Sequence, residues 1–357
     1  MPRLRSDAGQ AAAEYVALLA LVVAVLAGGA AAAAPALGER VVAIVRTGLC
    51  IVGGDICRPS DAAAAGLAPC VTSERYEWQD TAVDIAVVRL GGHGEWQLAL
   101  RSDGGATVTR LEENKGGVTA GAGVSFSPLG LQATMGGALT LGYRSGEAWH
   151  FDDAAAAAGW LARARADAAA KAARPPAVRW HAITTGATAG VLGLRTEGAR
   201  RTLAFGVERR DFALFGDLPG FPGGRGPGGT AVVEITWDGG GLRRLTVRTA
   251  ATARGRIDQY AAHLPLDDAA SRAVAEAVLV PGGSGMAELA ARIAREGVIE
   301  HAAYAVRERR RGLSVSGKLG VSLGLEHHRV TGERRLVDAT TTVRGGPPLK
   351  RFDCLGP

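Results

Sequence analysis

Residues 81–111 read TAVDIAVVRLGGHGEWQLALRSDGGATVTRL, and this stretch decides the fold that the sequence predicts. Apolar and polar residues alternate along TAVDIAVVRL (81–90), EWQLALRS (95–102) and ATVTRL (106–111), with the period of two typical of half-buried strands. The glycine-containing segments GGHG and SDGG separate these runs and indicate tight turns. We therefore expect three consecutive antiparallel strands joined by hairpins.

The same alternation returns further along the chain, in strands that pair apolar residues with glycine, alanine, serine or threonine. Such strands are predicted at 118–144, 181–210 and 311–343, the last with its hairpin turn near TGER (331–334). Asp238-Gly239-Gly240 predicts a further hairpin, between TAVVEITW and LRRLTVRTAATA. Strands therefore account for most of the body.

Three segments between these strands have helical character. Asp152-Asp153 precedes an alanine-rich run that ends in arginine and lysine, as the helix dipole favours. Segments 266–280 and 285–298 predict a helix pair. The expected fold class of residues 75–357 is α+β, mostly antiparallel strands with interspersed helices and a possible subdivision near 172–178.

Composition restricts function only weakly. The 357 residues carry a formal charge of +6, and arginine supplies nearly all of the positive charge. This usage is typical of a GC-rich genome, so we do not predict a nucleic-acid partner from it. The run RERRR (307–311) is interpreted as a solvated turn between two strands.

An apolar segment precedes the body. Residues 16–34 contain no charged side chain, and about 20 such residues span the hydrocarbon of a bilayer as a helix. We predict a single transmembrane helix at 10–36, with the lipid bilayer as the partner of residues 16–34. The alternatives are a plain signal anchor or a secretory signal cleaved near Ala32 to Ala36, which would release a soluble protein.

The residues before this helix carry a more specific pattern, Gly9-Gln10-Ala11-Ala12-Ala13-Glu14-Tyr15 after a short basic leader. Residues 3–35 resemble Flp-type (type IVb) pilins and the pilin-like proteins of tight-adherence secretion systems. The resemblance implies a leader at 1–9, cut by a prepilin peptidase between Gly9 and Gln10. It also implies that Glu14, followed by Tyr15, pairs with the amino terminus of a neighbouring pilus or secretion subunit.

Four cysteines, at positions 50, 57, 70 and 354, lie in a predicted stalk (37–74) and at the end of the chain. Their spacing is not that of a structural zinc site, and we expect no metal. An even number of cysteines just outside a membrane helix favours two disulfides and an extracytoplasmic body. Three connectivities are possible; we favour Cys50–Cys57 and Cys70–Cys354.

No catalytic motif is present. Gly312 to Leu319 (GLSVSGKL) nearly matches a phosphate-binding loop, but Leu319 replaces the hydroxyl residue that would hold Mg²⁺. We therefore expect neither an enzyme nor a cofactor. The leading hypothesis is a membrane-tethered envelope protein, either a minor pilin-like protein or an adhesion or secretion component. The alternatives are a secreted soluble protein and a pore-forming or membrane-inserting β protein that uses strands 118–144, 181–210 and 311–330.

Overall fold

The computed structural model describes residues 55–85, 88–118, 139–185, 190–206, 231–253, 255–279, 285–318 and 322–355. The predicted leader (1–9), the predicted transmembrane helix (10–36) and part of the stalk (37–54) lie outside these residues. Gly9, Gln10, Glu14, Tyr15 and Cys50 lie there too, so the pilin resemblance stays a prediction. Among the described residues, no helix is long and apolar enough to cross a membrane.

The described body is a closed β-barrel. Twelve long strands follow one another in chain order, each antiparallel to the next, and β12 returns to pair with β1 over Ser73 to Ile85. Closure leaves neither β1 nor β12 as a free sheet edge, which would otherwise favour aggregation. The strands are β1 (Val71–Ile85), β2 (Val88–Arg101), β3 (Ala106–Val118), β4 (Leu139–Phe151), β5 (Val178–Thr185), β6 (Gly190–Glu197), β7 (Arg200–Gly206), β8 (Ala231–Asp238), β9 (Gly241–Ala253), β10 (Arg256–Pro265), β11 (Val298–Lys318), β12 (Ser322–Val343) and the short β13 (Leu349–Lys350), which pairs with the end of β12.

The predicted α+β class is therefore wrong. The helices interrupt a continuous barrel wall instead of forming a separate layer, and β4 pairs directly with β5 across the predicted subdivision near 172–178. The helices are α1 (Pro59–Ala64), α2 (Ala154–Ala166), α3 (Ala168–Ala172), α4 (Ala269–Leu279), α5 (Gly285–Glu296) and α6 (Phe352–Leu355).

The two ends of the barrel differ. At the end where β1 begins and β12 ends, which we call the helical end, lie α2 to α5 and both described ends of the chain. The opposite end, which we call the strand end, carries the connections after β1, β3, β5, β7, β9 and β11. Among the described residues no helix lies at the strand end.

Several predicted turns prove to be strand interior. GGHG lies within β2, TGER within β12 and RERRR within β11. Glycine serves there to admit a neighbour: a Cβ at Gly332 would lie 2.2 Å from the Tyr76 ring. The predicted turns at SDGG and at Asp238 to Gly240 are confirmed; Gly104, Gly239 and Gly240 adopt positive φ values of 86°, 58° and 87°.

Contacts across β12 identify the inner face of the wall. The Tyr76 hydroxyl on β1 donates a hydrogen bond to Glu308 on β11, and Tyr304 on β11 donates to the backbone oxygen of Val71 at 3.3 Å. Side chains can meet over an intervening strand only on the concave side of a barrel. By strand alternation, every second residue from these positions faces the lumen and the others face outward.

The helices pack against the outer face at the helical end. Trp160 of α2 contacts Trp149 of β4 with ring centroids 4.7 Å apart. Asp153, the predicted cap of this helix, accepts a hydrogen bond from the backbone N–H of Ala156 at 2.7 Å. The predicted helix pair, α4 and α5, covers β8 to β11 with an apolar cluster that includes Leu245, Leu264, Leu289 and Ile293. These two clusters form most of the apolar core.

Candidate functional site

Exposed apolar side chains form an arc on the outer face of the barrel at the strand end. Eight of the ten large apolar side chains that are exposed among the described residues lie there, and all eight face outward. We call this set the apolar arc. Its members are Val83, Leu90, Tyr143, Ile183, Leu192, Leu194, Leu313 and Leu325.

The arc continues from strand to strand because the register places its members side by side. Val83 lies opposite both Leu90 on β2 and Leu325 on β12. Tyr143 lies opposite Ile183, which in turn lies opposite Leu192. The arc therefore has members on seven strands, with a gap at β3, where Gly116 lies opposite Leu90. The outer face of β8 to β10 packs against α4 and α5.

Small residues occupy the inner side of the same strands. A Cβ at Gly193 would lie 3.2 Å from the Ala182 Cβ on the neighbouring strand, and Gly91 and Gly142 also face the lumen. A strand of this kind, apolar outside and small or polar inside, is typical of barrels that cross membranes. At this end, therefore, the apolar residues of the alternating strands face outward and the small residues face the lumen.

A polar pair marks the edge of the arc on β4 and β5. The Tyr143 hydroxyl lies 2.6 Å from His181 Nδ1, and the two rings stack with centroids 6.0 Å apart. Both side chains face outward. Tyrosine with its polar tip engaged in this way is enriched where apolar and aqueous environments meet.

Charged residues line the lumen in pairs. Arg144 donates to Glu113 at 2.9 Å, and Arg248 donates to Glu234 at 2.8 Å. These pairs place opposite charges together on the inner face of the described wall, which makes that face polar. A polar interior of this kind supports hydration.

A cavity of about 460 Å³ lies in the lumen near the helical end. Glu234, Arg248, Glu300, Tyr304 and Arg351 contribute to its lining. Its polar groups come from β8 to β11 and from the chain's last described segment. The last described segment therefore forms part of the cavity wall.

Glu300 lies between two basic groups. Its carboxylate lies 2.9 Å from His263 Nε2 and 3.8 Å from Arg351. Burial raises the pKa of the Glu300 carboxyl, but His263 and Arg351 outweigh burial and hold that pKa below its usual value. Burial, assisted by Glu74, raises the pKa of Tyr304 to about 12. At neutral pH the cavity therefore holds a carboxylate and a protonated phenol.

The two described ends of the chain lie against the inner face of the wall at the helical end of the lumen. Residues 55–70 and 349–355, which we call the terminal cover, contact the inner face through Tyr304 and Leu336. The favoured disulfide between Cys70 and Cys354 is present, with 5.5 Å between the Cα atoms. Cys57 is also disulfide-bonded, whereas Cys50 lies outside the described residues.

The apolar arc, the lumenal ion pairs and the terminal cover were not predicted from the sequence. Charge gives no signal for the lumen along these strands, because Arg110 and Glu112 on β3 and Arg307 on β11 face outward. Spacing alone also does not say which strands meet. Histidines take part in carboxylate pairs such as His263–Glu300 and His301–Asp258. Among the described residues no group of three or more His, Cys, Asp or Glu side chains could hold a metal ion.

No protein-family model and no curated protein matches the chain. Two solved structures with some similarity are a TodX monoaromatic hydrocarbon channel mutant (deltaS2) and the translocator domain of the autotransporter NalP from Neisseria meningitidis. The first has a TM-score of 0.20 and 7% identity over 78% of this chain and 93% of that chain. The second has a TM-score of 0.14 and 11% identity over 88% of this chain and 99% of that chain. At these scores the similarity carries no weight for function.

The architecture changes the leading functional prediction. The prediction of a minor pilin-like protein with an α+β body on one helix is wrong for the body, because residues 71–343 supply the strands of one closed barrel. Single-pass anchoring by residues 10–36 has no support among the described residues. The alternative prediction, a membrane-inserting β protein, fits a closed barrel with a polar lumen.

Proposed function

We propose that this protein inserts the strand end of its barrel into a lipid bilayer and provides a polar pore there. The single observation that carries the proposal is the apolar arc, eight outward-facing side chains at one end of a closed barrel. Polar pairs such as Arg144–Glu113 on the inner side of the same wall support a hydrated lumen.

The free energy available from the arc is substantial. Full burial of a Val, Leu or Ile side chain is worth about 1.5–3 kcal/mol. Each arc member is about half exposed, so transfer into hydrocarbon is worth roughly 1 kcal/mol per residue, or roughly 8 kcal/mol for eight. A soluble protein would leave this energy unused and would expose a surface prone to aggregation.

The height of the arc is consistent with partial insertion by the described strands. On β11 the arc begins at Leu313 and the strand ends at Lys318, a length of about 17 Å along the strand. With the tilt of about 40° typical of barrels, this length rises about 13 Å, about half of the apolar band of about 25 Å in outer-membrane barrels. Residues 119–138, outside the described residues, join β3 to β4 at this end, and their sequence continues the alternation of apolar and small residues.

Two positions on β12 offer a matched test of insertion. Leu325 in the arc and Val337 near the helical end are both outward-facing and both 48% exposed, yet they lie about 40 Å apart along the strand. We would compare full-length Leu325→Trp and Val337→Trp in vesicles whose acyl chains carry bromine, which quenches tryptophan only within the hydrocarbon. The native tryptophans and residues 1–54 contribute equally to both variants.

We expect quenching of the added fluorescence of Leu325→Trp and none for Val337→Trp. Equal quenching, or none at either position, would refute insertion by the strand end. Pore activity is then measured as ion conductance across a planar bilayer. Insertion without conductance would restrict the function to a membrane-embedded barrel without a pore.

A further inference from the structure

Arginines line the outer face of the barrel directly beside the apolar arc. On β11 the outward positions before Leu313 are Arg307, Arg309 and Arg311, and on β12 Arg329 lies opposite Arg311. All four arginines are exposed. The run RERRR therefore forms a ladder of three outward arginines, with Glu308 and Arg310 on the lumenal side.

This ladder has too few carboxylates to neutralise it. Arg311 and Arg329, directly opposite on one face, repel each other. Arg329 does pair with Glu77, but Arg165 shares the same carboxylate. In the described part of the chain, neither Arg309 nor Arg311 forms an ion pair. Since arginines so placed cost stability in the isolated barrel, their positive charge favours an external anion.

The position of the ladder indicates which anion. Arg311 is one outward position, about 7 Å, from Leu313, and Arg309 is about 13 Å from it. With the arc in hydrocarbon, these guanidinium groups would lie among lipid headgroups, and their long side chains could extend toward the phosphates.

We infer that Arg309, Arg311 and Arg329 bind the headgroups of anionic phospholipids and thereby select an anionic bilayer for the strand end. This inference rests on the proposed insertion. It adds the lipid class and the residues that recognise it. Bidentate bonds from guanidinium to phosphate give the recognition, and the Coulomb attraction gives a dependence on salt.

The test compares two double variants in the full-length Leu325→Trp background. Arg309→Gln with Arg311→Gln removes two charges beside the arc. Arg75→Gln with Arg335→Gln removes two exposed outward charges on β1 and β12, far from the arc. Bromolipid quenching is titrated with phosphatidylcholine vesicles and with vesicles of mixed phosphatidylcholine and phosphatidylglycerol.

On the mixed vesicles, we expect the loss of two interfacial arginines to weaken lipid affinity about 30-fold, the control variant to stay close to the parent, and added salt to reduce the difference. On pure phosphatidylcholine, the two variants should behave alike. Unchanged affinity of the Arg309/Arg311 variant, or an equal loss in the control, would overturn the inference while leaving insertion intact. Absence of quenching in the parent on both vesicle types would instead remove insertion and the inference with it.

Discussion

Replacing Arg351 by Met tests whether a buried ion pair holds the terminal cover in place. The Arg351 side chain is 2% exposed and that of Asp353 is 1% exposed. Two hydrogen bonds join them, at 2.8 Å and 2.9 Å, and a third runs from Arg351 to the backbone oxygen of Ala68 at 3.0 Å. The variant would leave the Asp353 carboxylate buried without its cation.

The expected loss follows from these contacts. Hydrogen bonds to charged groups are worth about 1.5–3 kcal/mol each, and removal of one partner from a buried ion pair costs about 3–5 kcal/mol in total. We expect the free energy of opening the cover to fall by about 3–5 kcal/mol. Adding Asp353→Leu should recover most of this loss, because an apolar pair replaces the unpaired charge.

Amide hydrogen exchange measures this opening directly. The Ile56 N–H donates to Lys350 at 3.0 Å and the Phe352 N–H donates to Ile56 at 2.9 Å, so both amides report on the cover. Lys350→Met is the control, since Lys350 forms an exposed ion pair with Asp338 at 3.1 Å, worth about 0–1 kcal/mol. If Arg351→Met and Lys350→Met changed protection equally, the cover would not depend on the buried pair.

Two further changes probe the wall and the lumen. Gly332→Ala should destabilise the barrel by about 1–3 kcal/mol, because its Cβ would lie 2.2 Å from the Tyr76 ring. In a Tyr76→Ala background, urea unfolding should show that Gly332→Ala lowers the free energy of unfolding very little. A full further loss in that background would exclude the clash as the cause. The pKa of the Glu300 carboxyl is lower in the folded than in the unfolded protein, so its contribution to stability is complete above the unfolded value of about 4.3 and is lost as pH falls through the folded value. Glu300→Gln should therefore lower the urea midpoint at neutral pH and leave it unchanged at the acid limit; an equal loss at every pH would exclude titration of Glu300 as the reason.

Local features of the fold could be predicted from the sequence because their causes are local. The turn at Gly239-Gly240 follows from two positive φ angles that glycine alone adopts readily. Asp153 caps α2 through a bond to an amide three residues away. Even the Cys70–Cys354 bond was favoured from the placement of cysteines at the two ends of the body.

Barrel closure could not be predicted in the same way. Alternation of period two is the same in a sandwich, an open sheet and a barrel, and the pairing that closes this one joins Ser73 to Arg335. The glycine positions did not distinguish turns from strand interiors. At Gly332, Gly146 and Gly312 a Cβ would lie about 2 Å from the rings of Tyr76, Trp180 and His328 respectively, so these glycines accommodate side chains of neighbouring strands and mark no turn.

Two aromatic residues on one strand differ sharply in exposure. Trp149 and Tyr143 lie on the same outer face of β4, six residues apart, yet Trp149 is 1% exposed and Tyr143 is 48% exposed. The exposures differ because α2 lies over Trp149 at the helical end, whereas no described helix reaches Tyr143. The sequence keeps large apolar residues at outward positions along both halves of the wall but supplies helices for only one. Under the proposed function a bilayer would provide the missing apolar cover, and the arginines on β11 and β12 would lie where its anionic surface begins.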